Sequence, residues 1–192
     1  MIHESAYVEK QATIGEGTTI WHFAHIRTKA VIGKHCNIGK SVYIDTEVQI
    51  GDNCKIQNFA SLYKGLIVEN NVFIGPHACF TNDIYPRAAI WNDERLVTTT
   101  VKEGASIGAN STIIAGVTIG KHALVGAGSV LTKDVPDHGL VYGNPATLKG
   151  FICICGTKLE KQKETKEHVI LHCPSCGQEI TINKSTMKEV CP

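Results

Sequence analysis

From residue 2 onward, every sixth position carries a large apolar side chain. The series runs Ile2, Val8, Ile14, Ile20, Ile26, Ile32, Ile38, Ile44, Ile50, Ile56, Leu62, Val68, Ile74, Phe80. Four residues after most of these stands a small or β-branched residue, such as Ala6, Ala12, Thr18, Ala24, Ala30, Cys36, Val42, Val48, Cys54, Ala60, Val72 and Ala78. The next residue after the aliphatic is often glycine, as at Gly15, Gly33, Gly39, Gly51 and Gly75. A period of six matches neither an α-helix nor a strand that alternates without end. It matches a hexapeptide β-helix repeat, in which each hexad supplies one short strand and one corner. Three hexads close a triangular coil. Coils then stack at the inter-strand spacing of about 4.8 Å, each bonded only to its neighbours.

The register breaks after Phe80 and resumes at Val101, Ile107, Ile113, Ile119, Val125 and Leu131. The step from Phe80 to Val101 is not a multiple of six, so residues 81–100 are expected to leave the column as an excursion loop. The stations together make a column of seven coils, roughly 33 Å tall. Asp134-Val135-Pro136-Asp137 is expected to end it, residues 141–146 to form a turn-rich exit, and a linker near Lys149-Gly150 to open a second unit. The expected fold class is all-β: a left-handed parallel β-helix over residues 1–149, then a small zinc-ribbon-like unit over residues 150–192.

Bulk properties narrow this picture. Hydrophobic residues are 43% of the chain and aromatic ones 6%, so the core is aliphatic and suits a narrow prism. A net charge of +1 gives no reason to expect nucleic acid as a partner. The segment Met1-Ile2-His3-Glu4 lacks the layout of a signal peptide. No apolar run reaches membrane-spanning length. A cytoplasmic location without a membrane partner is therefore the expectation.

The eight cysteines divide into two groups. Cys36, Cys54 and Cys79 lie within the repeat and read as packing residues. Cys153-Ile154-Cys155-Gly156 and Cys173-Pro174-Ser175-Cys176-Gly177 bracket a segment read as a charged tip at 158–167 and a strand at 168–171. A returning strand is expected at 178–182. Cys153, Cys155, Cys173 and Cys176 suit tetrahedral zinc in a closed structural site. A unit of this size without a large core needs such a staple. Disulfides or iron are the alternatives, and His172 and Cys191 are spare potential ligands that read as bystanders. Residues 151–192 hold six lysines against five glutamates, which is no basic patch, so the unit reads as structural or partner-facing.

Four segments carry a resemblance: Ile20-Trp21-His22-Phe23-Ala24-His25-Ile26; Lys55-Ile56-Gln57-Asn58; Phe80-Thr81-Asn82-Asp83 with Tyr85-Pro86-Arg87; and Gly143-Asn144-Pro145-Ala146. With the hexads, they make residues 1–150 resemble the hexapeptide-repeat acyltransferases. More narrowly, the chain resembles bacterial N-acetyltransferases acting on UDP-2-acetamido-3-amino-2,3-dideoxyglucuronate, with dTDP-3-amino-hexose acetyltransferases next. The resemblance implies a homotrimer with active sites between chains, acetyl-CoA as co-substrate and a nucleotide sugar as acceptor. It implies that pantetheine runs past Ala109 and Ala127, where small side chains allow close approach. Thr132, Lys133 and the turn Gly143-Asn144-Pro145 would then lie near the adenosine end. The family usually has arginine after this turn; here it is Thr147, with Lys149 or Lys133 as substitutes.

The resemblance also bears on the chemistry. Family members that acetylate hydroxyls use a histidine in the excursion loop, because a hydroxyl must lose its proton to attack. This loop has none. A neutral amine already carries a nucleophilic lone pair and needs positioning more than a strong base. Asn82 is the candidate to orient it beside the thioester carbon, Asp83 to take the proton or hold a turn, and His77 to act as base. Lys55, Gln57, Asn58, Tyr63 and Arg87 are candidates for the nucleotide-sugar pocket, with Arg87 able to grip a carboxylate or diphosphate bidentately. His22, His25, His35 and His122 read as surface or interface groups. Two other classes compete: a γ-carbonic-anhydrase-like zinc hydratase with histidine ligands between chains, and a non-enzymatic scaffold.

Overall fold

The computed structural model describes residues 1–90 and 92–184, so Trp91 and Cys191 lie outside the described residues. Strands of two or three residues recur every six residues from Tyr7–Val8 to Cys79–Phe80 and again from Thr99–Val101 to Val130–Leu131. Each pairs in parallel with the strand one coil on. Tyr7 sits opposite His25, Thr13 opposite Val31, and Thr19 opposite Asn37. The result is a parallel β-helix with three flat faces. Its first face contains Thr19–Ile20 through Leu124–Val125, its second Tyr7–Val8 through Val130–Leu131, and its third Thr13–Ile14 through Thr118–Ile119.

The period builds the core directly. Strand side chains alternate, so the second residue of each pair points inward. Ile20, Ile26, Ile38, Ile44, Ile56, Ile74, Ile107 and Ile113 are all fully buried. The companion residues fill the corners, where Ala24, Ala60 and Ala78 leave no exposed surface. Three companions are hydroxyl residues, and their hydroxyls bond to carbonyls: Thr18 to Gly33, Ser111 to Gly126, and Ser129 to Gly126. Glycine before a corner is a steric requirement. A Cβ at Gly108 would stand 2.3 Å from the Ala127 nitrogen, and one at Gly33 would stand 2.5 Å from the Gly51 carbonyl carbon.

Four expected boundaries move. Thr99–Val101 already pairs with Leu66–Val68, so the excursion is 81–98, and Thr99 and Thr100 belong to the column. The column does not stop at residues 134–137. Val135 bridges Ile119, and Gly139–Gly143 runs parallel to Leu124–Val125. The exit is a hairpin, in which Gly139–Gly143 pairs antiparallel with Ala146–Phe151 across a turn with a cis Asn144–Pro145 peptide. Lys149 and Gly150 are thus mid-strand, not a linker.

The cysteine unit grows straight out of that hairpin. Glu160–Glu164, His168–His172 and Glu179–Asn183 form an antiparallel sheet. The first of these was expected to be a charged tip. All five of its side chains are exposed, so it has no apolar alternation, and only pairing to His168–His172 makes it a strand. Phe151, Cys153, Leu159, Val169, Leu171, Cys173 and Ile182 form a separate small core, and Leu148 packs against both cores. The Ile152 N–H donates to the His138 carbonyl at 2.8 Å, joining the unit to the last coil.

Candidate active site

Corners 21–24, 39–42, 57–60, 75–78, 108–111 and 126–129 lie between the first and second faces. They stack into one edge, rung on rung. Along it Ser41 N–H donates to His22 O, Phe59 to Lys40 O, His77 to Asn58 O, Asn110 to Pro76 O and Gly128 to Ala109 O, all at 2.8–3.0 Å. Most of the residues expected to bind ligand meet here. Gln57, Asn58 and His77 occupy the middle rungs, with Ala109 and Ala127 above them. The hairpin turn Gly143-Asn144-Pro145 closes over the top, with the Gly143 N–H 3.3 Å from Ser129 Oγ. Lys55 lies exposed on the first face, two residues before Gln57.

The edge changes character along its length. Its lower rungs carry rings, with His3 stacked on His22 at 3.5 Å and Phe59 on His77 at 4.9 Å and 10°. Its upper rungs carry Ala109, Asn110, Ala127 and Gly128. A chain-like ligand can lie against that smooth half within reach of backbone amides.

Other candidates sit on the next edge, between the second and third faces. Tyr63, Asn82, Asp83, Arg87, Thr132 and Lys133 all belong there. Thr132 and Lys133 are therefore separated from Ala127 by the width of a face within one chain. His77 and Asn82 likewise flank the strand Cys79–Phe80, up to roughly 16 Å apart at the rise of extended chain.

The excursion loop is pinned at its neck. Val97 N–H donates to Asn82 O at 3.2 Å, Asp83 bridges Leu96, and Thr81 Oγ1 accepts the Ala115 N–H at 2.9 Å. Asp83 accepts the Tyr85 N–H at 2.7 Å in a local turn. Its other oxygen lies 3.2 Å from Arg95 Nε, and only 6% of the side chain is exposed. A carboxylate committed to an arginine and a turn braces the loop. Arg95 also donates to the Tyr85 carbonyl. Sequence reasoning singled out Arg87, which is exposed and donates to the Pro86 carbonyl. It passed over Arg95, whose partner is twelve positions away across a bridge that no local pattern announces. Lys64 was also missed; it ties the loop to the column, 3.7 Å from Asp93 and 3.3 Å from Glu47.

Asn58 has a structural duty. Its Oδ1 accepts the Lys40 N–H at 2.8 Å. Asp52 does the same for Lys34, Asn70 for Asp52 and Asp137 for Lys121. Asx residues thus cap corners throughout the column. Tyr63 lies tilted against Tyr43 at 5.5 Å, continuing a ring series from Tyr7 and His25 on the second face. A cleft of about 620 Å³ lies between the third face and the cysteine unit, with Lys102, Lys133, Asp137 and Thr181 in its walls. It is on the side of the column opposite the edge between the first and second faces.

Cys153, Cys155, Cys173 and Cys176 come together with all four sulfurs within 4.8 Å of one another. Two alike turns deliver them. Cys153 N–H donates to Thr157 O and Gly156 N–H to Cys153 O; Cys173 N–H donates to Gln178 O and Gly177 N–H to Cys173 O. Both glycines take positive φ, 86° and 77°. The thiols are free, at 3.5 Å in the pairs Cys153–Cys176 and Cys155–Cys173. A tetrahedral metal with bonds of about 2.3 Å spaces sulfurs by about 3.8 Å, so the donor set fits zinc. Hydrogen bonding to Thr157 lowers the Cys155 thiol to about 6, and burial raises Cys153 to about 12. His172 is outside this cluster.

A hexapeptide column with one edge half ringed and half smooth, and a loop thrown from the next edge, defines the chain as a hexapeptide-repeat protein. The chain belongs to the bacterial transferase hexapeptide family (six repeats), which it matches over residues 1–46, 47–82 and 98–133. It is 63% identical over 62 residues to dTDP-3-amino-3,6-dideoxy-alpha-D-galactopyranose 3-N-acetyltransferase of Aneurinibacillus thermoaerophilus, covering 32% of each chain. It is 29% identical over 104 residues to the galactoside O-acetyltransferase of Lactococcus lactis, covering 47% of this chain and 48% of that one. The match thus spans a third to a half of these relatives. Among solved structures, GDP-perosamine N-acetyltransferase from Caulobacter crescentus, in complex with CoA and GDP-perosamine, aligns with a TM-score of 0.52. It is 27% identical, over 78% of this chain and 55% of that one.

Proposed function

We propose that this protein moves an acetyl group from acetyl-CoA to the amino group of a nucleotide-linked amino sugar. The observation that carries the reading is the smooth upper half of the ligand-facing edge, capped by the Gly143–Pro145 turn. It offers a seat for a pantetheine arm along Ala109 and Ala127. The relative with 63% local identity acts, by its name, on a dTDP-linked 3-amino sugar. The dTDP-linked acceptor therefore moves ahead of the UDP-glucuronate-like one expected from the sequence.

In this reading the neutral amine attacks the thioester carbon, a backbone N–H holds the oxyanion, and CoA leaves as thiolate. Asn82 orients the amine. His77, exposed on the ligand-facing edge, takes the proton, while Asp83 braces the loop with Arg95. Since His77 and Asn82 stand on different edges of one column, they meet when the loop of one chain lies against the edge of another, as in a homotrimer. Lys149, whose ammonium lies 5.7 Å from the Tyr142 ring beside the cap, replaces the missing arginine at Thr147. Lys133, on the other edge, contributes from a neighbouring chain. The four cysteines would hold zinc, which would staple the C-terminal unit.

The test is CoA thiol release with dTDP-linked and UDP-linked 3-amino sugars, GDP-perosamine and a galactoside. Release with an amino sugar and none with the galactoside is expected. Release with the hydroxyl acceptor alone would overturn the reading.

A further inference from the structure

Corner residues of this column sit in the left-handed region, a conformation tolerated by Asn and His far better than by bulky side chains. Thirteen such non-glycine residues have φ between 54° and 70°. Among the described residues only two of these are apolar, Phe23 and Phe59, and both are on the ligand-facing edge. Both are also well exposed, at 61% and 43%. Two well-exposed phenylalanines in a backbone state that bulky residues rarely adopt contribute nothing to the core, and such positions cluster at functional sites.

Their spacing is informative. The ring of Phe59 stacks on His77 with a centroid distance of 4.9 Å and 10° between planes, which is the rung spacing. The other face of Phe59 therefore looks along the edge toward the rung below. That rung presents Ser41, which has no ring, and the next presents Phe23. Phe23 and Phe59 are thus two rungs apart, roughly 9.6 Å, leaving about 4.8 Å on either side of a plane midway. That separation lies within the range for offset-stacked aromatic rings. Lys40, beside Ser41, holds its ammonium over the Phe59 ring, 6.0 Å from the centroid.

We infer that the gap at Ser41, walled by Phe23 and Phe59, seats the nucleobase of the nucleotide-linked acceptor, and that Lys40 meets its diphosphate. The inference rests on the proposed acceptor class. The layout is linear: base at the Ser41 rung, diphosphate passing Phe59, sugar amine near His77, thioester against Ala109. From Ser41 to His77 is two rungs, about 10 Å, a distance that a diphosphate bridge between a base and a hexose spans.

The test is calorimetric titration of UDP, dTDP and GDP, separately, into the wild-type protein and into Ser41→Phe and Phe59→Ser, with acetyl-CoA as a control. Ser41→Phe fills the gap with a residue that the same corner position already accepts at residues 23 and 59. The expected result is binding of at least one nucleotide to the wild type, weakened tenfold or more in both variants. Acetyl-CoA affinity, melting temperature and native mass should be unchanged. If a nucleotide binds the wild type and both variants equally, the gap is not its seat, though the acceptor class stands. If Phe59→Ser alters the native mass while nucleotide affinity holds, the rings pack against a second copy of this chain and the inference is overturned. If no nucleotide binds the wild type, the acceptor class and the inference fail together.

Discussion

The column and the cysteine unit solve the same stability problem in opposite ways. The column spreads its apolar burial over every coil, so each inward isoleucine is one of many equivalent stations. The cysteine unit has seven buried residues in its core, and two of them are cysteines of the four-sulfur cluster. The first is redundant along its axis; the second hangs on one point. A repeat can therefore lend its surface to chemistry one corner at a time, whereas the appended unit has little surface it can alter.

Breaking the four-sulfur cluster should unfold the unit and leave the column whole. Cys173→Ser is expected to abolish protection from hydrogen exchange over residues 168–183, because metal binding and folding are one event in such small units. Protection along the column should persist. An intact unit in the variant would show that its apolar core suffices.

Truncating an inward station should cost less but act through the whole column. Ile107, fully buried, is expected to lose about 2–5 kcal/mol on change to alanine, read from urea unfolding. A loss under about 1 kcal/mol would mean that the coils do not depend on these stations.

The loop belongs to neither regime. Asn82→Ala should lower kcat tenfold or more, about 1.4 kcal/mol of barrier, at unchanged melting temperature. Unaltered kinetics would reduce Asn82 to a turn residue.

The smallest effect sits at the joint. Burial holds the His138 pKa below its ordinary value of 6.5, with His122 adding to the depression, while its bond to the Ile152 carbonyl and Asp137 oppose it. A depressed histidine favours the neutral ring in the folded state. Its contribution is present above pH 6.5 and is lost as the pH falls below that value. The melting temperature should therefore drop modestly between pH 7.5 and 5.5, and less so in His138→Gln. Equal slopes would remove His138 from the account.

The column was legible because a six-residue period repeats one physical demand twenty times: an inward aliphatic, then a small corner residue. The four cysteines were legible because ligand spacing is a local property. The ends of elements were not. Thr99 and Thr100 look like loop residues until Leu66 and Ile67 appear beside them. The strand Glu160–Glu164 carries no apolar side chain to betray it. Arg95 was hidden for a related reason, since its pairing with Asp83 exists only once the loop has closed its neck. Asn58 shows the reverse: its amide reads as a ligand group, and only the fold reveals that its Oδ1 caps a corner, a task that Asp52 and Asn70 share.

The account depends most on the smooth half of one edge being the thioester seat. Ala127 is exposed there, so a larger side chain can be placed without disturbing the core. Titration of acetyl-CoA into the wild-type protein and Ala127→Leu measures this directly. An affinity at least tenfold weaker in the variant, with the melting temperature retained, is the predicted result. Equal affinities would place acetyl-CoA elsewhere and contradict the account.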